Sequence, residues 1–183
     1  MRIENIYSIT KMTMNDWKNA YGYAPDSTSN LLDGAMLDWI VEVTHCLKIW
    51  SSKGLCMTNG ELILARANLG ALVECWLKFF YCIYYEDYIR NPRTTKNGNV
   101  IEPNQMRFED LKIFSRGILW KINDNWDIWI SKVQMQRNAI HVFNYKNIGT
   151  GIEFLDDVER FEKFIQLILN RLPSSPASII YDN

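Results

Sequence analysis

Arg137, Asn138 and His141 stand within one five-residue stretch, Arg137-Asn138-Ala139-Ile140-His141. An imidazole moves protons near neutral pH. A guanidinium holds a carboxylate or an anion such as phosphate. The spacing predicts a helix here. On a wheel of 100° per residue, Trp126, Trp129, Ile130, Val133 and Ile140 form one apolar stripe. Arg137 falls in the middle of that stripe and His141 at its edge, one turn later. An arginine placed among apolar residues needs a partner, because an uncompensated buried charge is costly. Glu74, on a polar strip of an earlier helix, is the candidate partner. Lys78 follows Glu74 at i+4, in the order that favours a helix ion pair. The same residues also read as structural: Glu74–Lys78 as a surface salt bridge, and Arg137 and His141 as packing or interface residues.

The elements that must position these groups are helical. Residues 1–30 read as irregular or weakly helical, with a short helix over Asn15–Ala20 broken at Tyr21-Gly22-Tyr23-Ala24-Pro25. A first long helix is predicted over Leu31–Ser52 and stops near Gly54. A second starts at Thr58 or Asn59 and runs to about Arg90, before Pro92. The third spans about Arg107–Trp120, the fourth Asn125–Phe143 and the fifth Ile152–Arg171. The fifth carries a regular stripe of Phe154, Val158, Phe161, Ile165, Ile168 and Leu172. No run alternates with period two, so the expected fold is all-α, an irregular bundle of four to five helices. The expected organisation is an N-terminal extension over 1–30, a helical domain over 31–172 and a C-terminal tail over 173–183.

Composition narrows the function classes. The 183 residues are 48% hydrophobic and 22% charged, enough for a filled core. The net charge of −1 gives no global basic field for nucleic acid. Cys46, Cys56, Cys75 and Cys82 form no CxxC pair, and His45 and His141 are the only histidines, so no metal site and no cofactor are expected. The most apolar run, Leu62–Tyr85, contains Arg66, Glu74 and Lys78, which argues against a membrane span. The N-terminus has no apolar h-region. A cytoplasmic protein with reduced thiols is expected. Lys48, Lys53 and Arg66 are a candidate basic patch, and His45 reads as a core histidine.

An Arg-Asn pair shortly before a His, on a late helix of a small helical bundle, resembles the HEPN superfamily. Arg137 matches its arginine, Asn138 its polar residue and His141 its histidine, with three residues intervening where the family has four to six. Glu74 matches an acidic residue that the family often carries on an earlier helix. The stretch Leu69-Gly70-Ala71-Leu72-Val73-Glu74 adds to the likeness, which covers about residues 31–172. The resemblance implies a metal-independent endoribonuclease in which two protomers face each other. His141 would act as general acid or base, Arg137 would hold the scissile phosphate and Asn138 would orient either group. It implies an RNA substrate, a homodimer, and an antitoxin or other regulatory protein, as in toxin–antitoxin or phage-defence systems. Two other readings stay open: a non-catalytic interaction module of the same fold, favoured by the shortened spacing, and a small effector of a mobile element or phage, which the high Trp and Tyr content and modest net charge would suit.

Overall fold

A computed structural model describes residues 2–175. It is all-α, and among the described residues no strand forms, only isolated bridges. The central element is α5 (Asn59–Ile83). It contacts α2 (Asp26–Asp33), α3 (Leu37–His45), α4 (Leu47–Lys53), α7 (Phe108–Ser115), α8 (Asn125–Arg137) and α9 (Gly151–Leu169). Its apolar side buries Leu62, Leu69, Leu72, Val73, Trp76 and Phe80. A capping box starts it: the Thr58 hydroxyl accepts from the Glu61 N–H, and the Glu61 carboxylate accepts from the Thr58 N–H at 2.9 Å. Lys53 and this cap hold the Glu61 carboxyl down at about 2. An equivalent box at Thr150 and Glu153 starts α9.

Several boundaries differ from those expected. The segment expected to be irregular or weakly helical, with a short helix over Asn15–Ala20, carries a longer and earlier helix: α1 (Arg2–Trp17) lies along α3 and places Ile6, Met14 and Trp17 in the common core. The predicted helix over Leu31–Ser52 is divided. Gly34 ends α2, and α3 and α4 meet at Cys46, which keeps right-handed helical angles (φ −60°, ψ −21°). α5 ends at Ile83 rather than near Arg90, because Tyr84 leaves helical geometry before the short α6 (Tyr85–Tyr88). The turn aims the tyrosines at other elements: Tyr84 donates to the Arg171 carbonyl and Tyr88 to the Ile101 carbonyl. Tyr81 and Tyr88 pack on Phe114 in the core. α7 stops at Ser115, and α8 stops at Arg137 rather than Phe143. Of the expected tail over 173–183, residues 176–183 lie outside the described residues. No helix among the described residues is long and apolar enough to cross a membrane.

Candidate functional site

Four of the singled-out side chains, Arg137, Asn138, Glu74 and Lys78, meet on one patch between α5 and α8. The close approach is made at Gly70: a Cβ there would come within 3.0 Å of the Cβ and Cγ of Arg137. Glycine therefore lets the Arg137 stem lie against α5, and one turn along α5 its head reaches Glu74. Arg137 Nη2 donates to Glu74 Oε2 at 3.0 Å, while Lys78 Nζ pairs with Glu74 Oε1 at 3.0 Å. Arg137 Nη1 also donates to Asn138 Oδ1 at 3.3 Å. The ion pair expected between Glu74 and Arg137 thus forms. Its setting differs from the wheel: the Arg137 side chain keeps 35% of its surface exposed, so it is half-buried at the rim of the apolar stripe. Two cations share one carboxylate, which leaves the patch with one positive charge in excess.

His141 lies outside this cluster. α8 tightens into a single 3-10 turn over Asn138–Ile140, and His141 follows with φ −87° and ψ 73°. Asparagine and β-branched residues are weak helix formers, and Asn138, Ile140 and Val142 coincide with the end of the helix. Three residues per turn in place of 3.6 turn Ala139 inward and Ile140 outward. The wheel that put His141 one α-helical turn above Arg137 therefore fails after Arg137. The imidazole is exposed, and a turn holds its backbone: the His141 N–H donates to Asn138 O and the His141 carbonyl accepts from Asn144 N. Beside this turn, Ala139, Val142 and residues 144–149 bound a recess of about 370 Å³ against Asn59 and Ile63 of α5. Lys146 lines the same recess.

A second polar cluster is buried, and the sequence reading missed it. Arg66, 1% exposed, pairs with Asp157 of α9 and donates from Nε to the Ile148 carbonyl at 3.0 Å. Asp157 also accepts from Trp129 Nε1 at 2.9 Å and pairs with Lys132 at 2.9 Å. The Arg66 guanidinium lies over the Phe154 ring. This cluster ties α5, α8, α9 and the 144–150 loop together beneath the His141 turn. Arg66 is thus withdrawn from the basic patch expected with Lys48 and Lys53. Its signal was legible: Arg66 falls among the apolar positions of α5, and Asp157 falls between Phe154 and Phe161 on the stripe of α9. His45 departs from the core role expected for it: it is exposed, with Tyr7 against its ring.

Among the described residues, no group of three or more His, Cys, Asp or Glu side chains gathers where it could hold a metal ion. No protein-family model, curated protein or solved structure matches the chain.

Proposed function

We propose that this chain is a cytoplasmic, metal-independent endoribonuclease of HEPN type, acting through Arg137, Asn138 and His141 within a toxin–antitoxin or phage-defence system. The observation that carries the reading is the accessible side of Arg137. Gly70 and Glu74 fix the guanidinium, yet it keeps a solvent-facing surface in a patch of net positive charge. An exposed imidazole follows four residues later. A fixed donor aimed at developing charge is what phosphodiester cleavage needs.

In this reading, His141 takes the proton of an RNA 2′-hydroxyl. The 2′-oxygen bonds to the adjacent phosphorus, and the bond from phosphorus to the 5′-oxygen breaks, leaving a 2′,3′-cyclic phosphate; the leaving 5′-oxygen takes a proton from water and departs as a 5′-hydroxyl, and His141 returns its proton to solvent. Arg137 holds the phosphate as charge builds, and Asn138 and Glu74 hold Arg137. Lys78 adds a second cation beside the phosphate path. A regulatory protein would restrain the activity by covering this patch.

The test is cleavage of a broad RNA panel with EDTA present, using the wild-type chain, Arg137→Ala and His141→Ala. The expected result is cleavage by the wild type and a loss of roughly 10²–10⁴-fold in either variant, the range for a positioned acid–base group. An intact panel with the wild type, or equal cutting by all three proteins, overturns the reading. A second reading, a non-catalytic interaction module, is favoured by the solvent-facing Val142, Phe143 and Tyr145 beside the patch. It predicts that the folded protein leaves the panel intact.

A further inference from the structure

Between α5 and the pair α2–α3 lies an apolar groove of about 440 Å³. Its volume falls in the range of small-molecule sites. Leu32, Leu37, Leu72 and Phe79 are buried and form its floor. Met36, Trp39 and Val43 are exposed along its rim, and Trp39 keeps 64% of its surface open. Exposed apolar surface gathered around a concavity marks a place for an apolar ligand.

Charge selects what kind of ligand. Ala71, Cys75, Lys78 and Cys82 stand at i, i+4, i+7 and i+11, so α5 turns one continuous face to the groove. Among the described residues that line it, Lys78 is the only charged one. Asp33 and Glu42 adjoin groove residues in the sequence, but both are exposed and neither lines it. Lys78 is also only half compensated. Its Nζ lies 3.0 Å from Glu74 Oε1, and Arg137 Nη2 lies 3.0 Å from Glu74 Oε2. One carboxylate therefore serves two cations. Arg137 retains Glu74 if Lys78 turns to a second anion, and a single further negative charge then balances all three groups. A carboxylate supplies that charge. A phosphate monoester, at about −1.5 to −2 near neutral pH, would overshoot it.

We propose that the α3–α5 groove binds a small carboxylate with an apolar body. The body lies along Ala71, Cys75 and Phe79 beneath the Trp39 ring, and the carboxylate accepts a hydrogen bond from Lys78 Nζ. Asn104, which also lines the groove, offers a side-chain amide to the same head group. A ligand of this kind has one charge to place and little else to desolvate, which matches a lining that is apolar apart from these groups. Its binding covers the open rim and cancels the excess positive charge of the Glu74 patch. This inference stands on the groove and does not rest on RNA cleavage.

The test is isothermal titration calorimetry of the full chain with octanoate, octanol and octyltrimethylammonium, three probes that share one apolar body and differ in charge. The expected result is one saturable octanoate site per chain. Octanol should bind at least about tenfold more weakly, the scale of a lost hydrogen bond to a charged group, and octyltrimethylammonium should not bind. Lys78→Met keeps an apolar stem and removes the charge. It should lower octanoate to the affinity of octanol and leave octanol unchanged. Trp39→Ala should weaken octanoate and octanol alike, by several-fold. Trp39 is exposed and Lys78 half-buried, so circular dichroism of both variants should match the wild type, and the comparison of the three probes needs no variant at all. Absence of saturable octanoate binding by the wild type overturns the proposal. So does octanol bound as tightly as octanoate, or octanoate binding indifferent to either substitution. A chain that cuts RNA but ignores octanoate loses only the groove ligand; one that binds octanoate but leaves RNA intact loses only the catalytic reading.

Discussion

Among single residues, Gly70 decides where the Arg137 head sits. A methyl group there would overlap the Arg137 Cβ and Cγ, both close to the backbone and unable to swing away. Gly70→Ala would gain up to about 1 kcal/mol in helix propensity. It would lose about 1–3 kcal/mol to overpacking between α5 and α8. The expected net result is a small loss of stability, of the order of 1 kcal/mol, read from urea unfolding. Because the strain falls on Arg137, RNA cleavage should drop far more than stability does. A Gly70→Ala protein with full activity and unchanged unfolding would show that the close approach is not needed. This pairing was partly legible in the sequence. Gly70, Glu74 and Lys78 recur at i, i+4 and i+8, so one strip of α5 offers a carboxylate beside a small residue, and that strip is the one Arg137 meets. The end of α8 was not legible, since the hydrophobic pattern runs on through Ile140 while the backbone tightens beneath it.

Whole elements were legible where a long, regular apolar stripe marks the buried side. α9 matches its prediction closely, because Phe154, Val158, Phe161, Ile165 and Ile168 repeat without interruption. α1 was hidden because threonines occupy core positions: Thr10 and Thr13 are buried beside Ile6, Met14 and Trp17. Thr10 satisfies its hydroxyl by donating to the Ile6 carbonyl at 2.8 Å, so a polar letter sits in an apolar environment. The Arg66–Asp157 pair is the same lesson with charges: it joins α5 to α9, and Trp129 and Lys132 bring α8 to the same carboxylate. Asp157→Ala removes the carboxylate that compensates a buried guanidinium, and such a loss costs about 3–5 kcal/mol. Arg66→Met together with Asp157→Leu removes both charges and should recover much of that loss. Thermal unfolding of the two proteins checks the order. If the single and double variants were equally unstable, the pair would be acting through shape rather than charge.

Across the whole molecule, buried carboxylates paired with arginines set the response to acid. Arg116 bonds Asp127 through two nitrogens, at 2.8 and 3.2 Å, and holds its carboxyl below the usual range despite burial. The Asn123 N–H and Trp120 Nε1 add to that effect. At Asp110, burial works against ionisation, but Arg93 and Arg107 outweigh it and the carboxyl is again lowered. These carboxyls are lower in the folded chain than in the unfolded one, so below about pH 4 the unfolded state binds more protons. Their stabilisation is fully present above that point and is lost as pH falls through the folded values. The melting temperature should therefore be level from about pH 5 to 7 and fall steeply below about pH 4. Asp127→Asn should cost about 2 kcal/mol at pH 7, the scale of hydrogen bonds to a charged group. For a chain of this size that is roughly 4–8 °C in melting temperature. The difference between wild type and variant should shrink as pH falls, because protonation then does to Asp127 what the substitution has already done. A gap that stayed constant down to about pH 2.5 would show that Asp127 acts by packing, and that the acid response belongs to other groups.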